Sequence, residues 1–182
     1  KLAALGSQMN PHFIFNSLNS IQHFIIKNET EFALRYLSKF AKLVRRILEN
    51  SDKEKTTLKD EITFLENYLS VESLRFDNKL QYEINIDEDI ETEAIEIPSL
   101  LIQPYVENAI IHGLMHTTEI PTLKTNFGIV ANKLKCSILD NGIGRLNSMQ
   151  MKNRLINHNK SLGMPITQKR LELLNKNEGI DV

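Results

Sequence analysis

The sequence predicts an α+β fold, in which an all-helical front is followed by a back half mixing strands with helices. Three observations carry this. Residues 1 to about 76 contain only two helix breakers, Gly6 and Pro11. "KLQYEINID", from Lys79, alternates Leu80, Tyr82, Ile84 and Ile86 with polar residues, the pattern of a half-buried strand. "TLKTNFGIVANKLKCSILD", from Thr122, reads as two strands with a turn at Ala131 to Lys133.

The first helix runs through about Lys27. At roughly 100° per residue, Ile14, Leu18, Ile21 and Ile25 form an apolar stripe, and His12, Asn16, Asn19 and His23 form a polar one opposite. "NET" at Asn28 to Thr30 is a break with an N-cap candidate. The second helix covers about Glu31 to Asn50, with Phe32, Leu37, Phe40, Leu43, Val44, Ile47 and Leu48 near helical spacing. "SDKEKTT" reads as a polar turn. Thr57 with Asp60 and Glu61 marks the start of a third helix carrying Ile62, Leu65, Leu69 and Leu74.

Pro98 precedes "SLLIQPYVENAIIHGL", which reads as a helix with Gly113 at its end. "DNGIG" is a turn signal after the second strand of the pair. "RLNSMQMKNRLINHNK" is polar and irregular, and "SLGMPITQKRLELLNK" reads as a last helix.

Composition narrows the function classes. The 182 residues are 41% hydrophobic and 25% charged, an ordinary globular balance, and a net charge of -1 gives no global basic footprint for nucleic acid. One cysteine, Cys136, excludes an internal disulfide and a multi-cysteine zinc site within these residues. No apolar run reaches the roughly 18 residues that cross a bilayer, and no signal peptide is visible. The chain starts at Lys1, mid-pattern, and is read as a piece of a longer protein, with room for a membrane anchor upstream.

Four short stretches can carry chemistry. In "QMNPHFIFNSLNSI" Pro11 directly precedes His12, and a proline inside a helix costs about 3 kcal/mol or more. That predicts a kink or local helix start beside His12. An imidazole there is a possible nucleophile, although spacing alone favours a solvated histidine near a helix start. In "YVENAIIHG" the adjacent Glu107 and Asn108 interrupt an apolar helix. Their oxygens suit a magnesium ion that also takes phosphate oxygens and waters, and a surface-facing polar edge would look the same.

In "LDNGIG" Asp140 ends a strand and Gly142 and Gly144 follow, permitting close backbone approach to a ligand. A tight turn would also fit, and neither the dinucleotide fingerprint nor a Walker loop is present. In "SLGMPITQKRL" Ser161 and Gly163 precede a helix, where backbone amides attract phosphate. An ordinary Ser N-cap followed by Pro165 is the commoner cause of that pattern.

The order of these stretches, with "YLSVESLRF" and "IPSLLIQPYVENAIIHGL", resembles the LytS-like sensor histidine kinases. The resemblance implies a helical dimerisation and phosphotransfer region at 1–77. It implies an α/β-sandwich ATP-binding domain of the Bergerat (GHKL) type at 78–182, incomplete at its C-terminus. By that resemblance His12 is the phosphoacceptor, and Glu107 orients or deprotonates it. Asn108 coordinates Mg2+, and His112 and Gly113 complete that box. Asp140 binds the adenine amine, while Gly142 and Gly144 let the backbone close on ATP. Residues 145–160 form a mobile lid, and Gly163 approaches the phosphates.

Only one glycine stands in that last box, which departs from the family pattern. The implied reaction is autophosphorylation of His12 by ATP, then transfer to an aspartate of a response regulator receiver domain, of the LytTR-associated type. A neutral imidazole is needed, and an unperturbed histidine with pKa about 6.5 supplies it at cytoplasmic pH. The protein would be a homodimer with no direct nucleic-acid contact. This part would be cytoplasmic, with the full-length protein anchored in the bacterial inner membrane. The alternative is a degenerate scaffold of the same fold that dimerises or binds ATP without catalysis.

Overall fold

The computed structural model describes residues 11–51 and 53–144. Two compact units divide the chain: Lys1–Leu80 with Glu91–Leu100, and Gln81–Ile90 with Leu101–Val182. The α+β organisation holds among the described residues.

Among the described residues the first unit is built on three helices, α1 (Pro11–Ile26), α2 (Thr30–Ser51) and α3 (Leu58–Arg75). The "NET" break is a Schellman closure of α1. Asn28 adopts φ 59, Glu29 N–H donates to the Phe24 carbonyl at 2.9 Å, and Asn28 N–H donates to that of Ile25 at 3.0 Å. Thr57 caps α3 as expected, its hydroxyl accepting from Asp60 N–H at 3.1 Å.

Part of the stretch read as a polar turn is instead a short strand. β1 (Lys55–Thr57) pairs antiparallel with β3 (Glu96–Pro98), and Thr56 lies opposite Ile97. Three residues show no periodicity, and the partner strand is some forty positions away, so no local signal marks them. This pairing places the segment 91–100 over the start of α3. There Leu58 N–H donates to the Ile95 carbonyl and Lys59 N–H to that of Thr92, at 2.8 and 3.0 Å. Glu61, fully buried, accepts from Leu100 N–H at 3.0 Å. Helix-start donors and a buried carboxylate are thus satisfied by one segment.

The faces that pack differ from those the periodicity suggested. In α1 the buried residues are Phe13, Ser17 and Phe24, while Leu18 and Ile25 are 49% and 60% exposed. In α2 Ala33, Tyr36, Leu43 and Ile47 are buried, whereas Phe32, Leu34, Leu37 and Leu48 are exposed. Aromatic contacts explain the choice. Phe13 meets Phe40 and Tyr68, with ring centroids 5.9 and 5.3 Å apart, and Phe24 meets Tyr36 at 6.1 Å. Large rings bury more area than the branched aliphatics of the alternative stripe, and Tyr36 adds a hydroxyl bond to Ser17 Oγ at 3.3 Å. Ile62, Leu65, Leu69 and Leu74 of α3 are all buried, as read from the sequence.

Among the described residues the second unit carries a three-stranded sheet in the order β2-β4-β5, from β2 (Gln81–Ile86), β4 (Thr122–Val130) and β5 (Lys133–Asp140). β2 runs parallel to β4, and β4 antiparallel to β5. The hairpin turns at Ala131 and Asn132, with φ 51 and 62. Two positive φ values match the right-handed twist of the strands they join.

Between β2 and β4 in the chain lies a helix that changes pitch. α4 (Gln103–Asn108) runs into a π turn (Ala109–Gly113) and a 3-10 turn (Leu114–His116). The apolar segment after Pro98 therefore becomes helical only at Gln103, because Leu100 takes φ 57 and Pro104 occupies the first turn. Val106, Ile110 and Leu114 are fully buried along this helix, and Leu123, Thr125 and Phe127 form the buried face of β4.

Candidate functional site

In the first unit, His12 is the second residue of α1. The expected break at Pro11 and the orientation of the His12 ring lie outside the described residues. One, two and three turns further along, Asn16 is half-buried and Asn19 and His23 are exposed. With Ser20, Lys27, Leu74, Arg75 and Asp77 they line an open, mainly polar cleft of about 350 Å3. The polar stripe read from the sequence is thus a real surface of the helix that carries His12.

Behind that stripe sits a buried polar core. Arg75 Nη1 pairs with Glu72 Oε2 at 2.6 Å, and Glu72 is fully buried. Burial pushes the Glu72 carboxyl above its ordinary value, although the Arg75 guanidinium pulls it back. The Tyr36 phenol is likewise raised by burial. Glu72 and Arg75 lie within "YLSVESLRF", which carries the family resemblance, but their spacing in the sequence gives neither them nor Tyr36 a role of its own.

In the second unit, two of the sequence-predicted stretches, "YVENAIIHG" and "LDNGIG", meet at Gly113, Asp140 and Gly142. Glu107 is buried at the end of α4, and Asn108 follows it. The Asn108 amide donates to the Pro104 carbonyl at 2.6 Å, which fixes the carboxamide plane. Glu107, Asn108 and His112 each have interaction partners, as a polar group in a largely buried helix requires. His112 and Gly113 fall in the π turn, a departure that periodicity did not reveal.

Gly113 faces the end of β5. A Cβ on Gly113 would lie 2.6 Å from Asp140 Oδ1 and 3.6 Å from the Gly142 Cα. A Cβ on Gly142 would lie 2.4 Å from both the Cα and the carbonyl carbon of Gly113. The two glycines therefore allow a backbone-to-backbone approach that any other residue would block. Asp140, exposed, accepts from Gly142 N–H at 2.9 Å, and Ile143 N–H donates to the Gly113 carbonyl at 3.4 Å. Gly144 adopts φ 76, and no described residue comes within 4 Å of the position of a Cβ.

Sequence reading missed Asn141, the one loop residue between Asp140 and Gly142. Its side chain bonds to Thr122 at the start of β4 and to Ile120 just before it. Gly163, the stretch 145–160 and the last helix lie outside the described residues.

The chain is similar to sensor histidine kinases over most of its length. A family model described as histidine kinase matches residues 1–80. The sensor histidine kinase YpdA of Escherichia coli (strain K12) is 35% identical over 144 residues, covering 79% of this chain and 25% of YpdA. The sensor protein LytS of Oceanobacillus iheyensis is 33% identical over 144 residues, covering 79% of this chain and 24% of LytS. The chain belongs to the LytS-like sensor histidine kinases.

YwpD, an uncharacterized protein of Bacillus subtilis (strain 168), is 30% identical over 174 residues, or 94% of this chain and 61% of YwpD. The chain spans about a quarter of the length of YpdA and LytS. Within this LytS-like family, the matched residues 1–80 take in α1, α2 and α3, the helices around Phe13, Tyr36 and Tyr68. Among the described residues no helix is long and apolar enough to cross a membrane.

Proposed function

We propose that the chain is the kinase portion of a two-component sensor, in which His12 takes the γ-phosphoryl group of ATP and passes it to an aspartate of a response regulator, of the kind partnered with LytTR output domains. The Gly113–Asp140–Gly142 meeting supports this most directly. It is a close backbone contact with a carboxylate at its edge, made from two chain stretches that the family resemblance assigns to one nucleotide. Asp140 would accept from the exocyclic amine of adenine. Gly142 and Gly144 would let main chain lie against the nucleotide, and Gly163 would approach its phosphates.

The donor set also fits a phosphate-bound cation. Asn108 offers a carboxamide oxygen whose plane is fixed through Pro104. Among the described residues no cluster of three or more His, Cys, Asp or Glu is placed to hold a metal. Mg2+ commonly takes one or two protein ligands and completes its shell from phosphates and water. Bound there, Mg2+ would offset the charge of the phosphates. His112 and Gly113 would close the box beside Asn108.

On the protein side the work is positioning and proton management. Attack uses the unprotonated ring nitrogen of a neutral His12, while the other nitrogen keeps its proton. Glu107 would orient that ring or receive the proton as positive charge develops. The second unit would be a Bergerat-type ATP-binding domain, and the first a dimerisation and phosphotransfer region. The exposed Leu18 and Ile25 of α1, with Leu34, Leu37 and Leu48 of α2, form apolar surface suited to a second copy of the same hairpin.

The test is incubation of the full-length protein with radiolabelled ATP and Mg2+. Acid-labile, alkali-stable label that His12→Gln abolishes is the expected result. Label persisting in His12→Gln sinks the role of His12, and nucleotide binding without label points to a scaffold.

A further inference from the structure

We propose that Asn141 is the positioning residue that sets the adenine-binding geometry of Asp140, through a side chain that stands in for a peptide group at the end of the β4–β5 ladder. This rests on the nucleotide reading given above and goes beyond it, since Asn141 itself would touch no substrate.

The argument begins with register. Leu123 pairs with Asp140, so Thr122 is the next partner, opposite Asn141. Asn141 N–H does donate to the Thr122 carbonyl, at 3.3 Å. In an ordinary antiparallel pair the Asn141 carbonyl would accept the return bond from Thr122 N–H. Here the side-chain Oδ1 accepts it instead, at 2.8 Å. The carboxamide Nδ2 then donates to the Ile120 carbonyl at 2.9 Å, one step further along the chain entering β4. The Asn141 carbonyl, released from the ladder, accepts from Thr117 Oγ1 at 3.5 Å.

The consequence is mechanical. The sheet continues for one more rung through a side chain while the main chain is already leaving it. That lets residues 142–144 turn towards Gly113, where Ile143 N–H meets the Gly113 carbonyl. Asp140 is the last residue held by the regular ladder, and its carboxylate already accepts from Gly142 N–H. With the next residue loose, Asp140 and Gly142 would lose their fixed relation to Gly113.

Few side chains can take this place. The rung needs an acceptor and a donor on one planar group, at the reach of a single methylene. Aspartate keeps the acceptor for Thr122 N–H but offers the Ile120 carbonyl no donor. Glutamine has both groups but one methylene too many, and alanine has neither.

The experiment uses the full-length protein and two readouts. Binding of ATP and of ITP, which carries an oxo group where adenine has its amine, is measured calorimetrically for wild type, Asn141→Ala and Asn141→Asp. Wild type should prefer ATP. Asn141→Ala should weaken ATP binding about tenfold while changing ITP binding little, so the preference shrinks; Asn141→Asp should fall between. Equal losses for both nucleotides, or an unchanged preference, overturn the positioning role and leave a merely structural one.

Hydrogen exchange without nucleotide supplies the second readout. The amides of Thr122, Gly142 and Ile143 should exchange faster in Asn141→Ala, while those of Thr125 and Phe127 in mid-strand stay protected. Unchanged exchange at Thr122 and Gly142 overturns the clamp whatever binds. A wild type that binds neither nucleotide yet shows the faster exchange in the variant counts against the nucleotide reading and not against the clamp.

Discussion

Gly113 and Gly142 approach each other so closely that a Cβ on Gly142 would stand 2.4 Å from the Gly113 Cα. No side-chain adjustment relieves that contact, because both partners are main chain. Gly142→Ala should therefore force the loop off the π turn, at a cost of about 1–3 kcal/mol, and weaken ATP binding at least tenfold or so. Gly144 differs in kind. Among the described residues a methyl group there meets nothing within 4 Å, and its φ of 76 is what resists a side chain. Gly144→Ala should cost about 1–2 kcal/mol of local strain. Gly144→Asn should cost less, since Asn tolerates that region. Nucleotide titration with thermal melts of the three variants separates the two mechanisms. Equal effects from Gly142→Ala and Gly144→Ala would count against the backbone contact.

That relationship also shows which parts of the molecule were legible in the sequence. Local chemistry was readable. The Thr57 cap, the Asn28 break, the Ala131–Asn132 turn and the alternation of β2 each depend on residues within a few positions of one another. Asp140, Gly142 and Gly113 were individually visible as a strand end, a turn and a helix end. That they touch is a matter of pairing across some thirty residues, which no period encodes.

The choice of packed face was hidden for another reason. α1 and α2 each carry two apolar surfaces, so counting hydrophobic positions cannot say which one meets α3. Phe13, Tyr36 and Phe24 decide it through ring contacts, with Ser17 buried beside them. The β1–β3 pair and the Asn141 rung are too short to leave a pattern at all.

Loss of the α3 cap is a measurable stability change with a simple cause. Thr57 Oγ1 accepts from Asp60 N–H, and the side chains of Asp60 and Glu61 stand in the positive first turn. Thr57→Ala should cost about 1 kcal/mol in chemical denaturation, and Thr57→Ser should restore most of it. A Thr57→Ser variant as unstable as Thr57→Ala would shift the explanation from the hydroxyl to the lost methyl group.

Glu72 predicts a pH dependence of unusual sign. Its folded-state carboxyl is raised by burial above the ordinary value of 4.5, so over that window the folded chain holds a proton that the unfolded chain has released. Stability from this group is therefore present at low pH and lost as pH rises through the raised value. Glu72→Gln removes the ionisation and keeps an oxygen for Arg75. Measured by denaturation between about pH 4.5 and 7.5, the variant should gain on wild type as pH rises. If the Arg75 pair outweighed burial, the folded carboxyl would titrate low and wild type would gain on the variant instead.

The second apolar surface of the hairpin makes the last prediction. Leu18 and Ile25 lie about a third of a turn round α1 from Phe13 and Phe24, and are 49% and 60% exposed. Large apolar side chains exposed along one helix face suit an interaction site. If a second hairpin covers it, Leu18→Glu with Ile25→Glu would place unpaired charges in a dry interface. The dissociation constant should then rise at least about a hundredfold. Helix content should persist, because Phe13, Ser17 and Phe24 still pack within the same chain. Asn19→Glu, exposed on the polar stripe, should leave association unchanged. Sedimentation equilibrium with circular dichroism reads both quantities. A double variant that associates as tightly as wild type would mean that the stripe read first from the sequence is not the dimer seam.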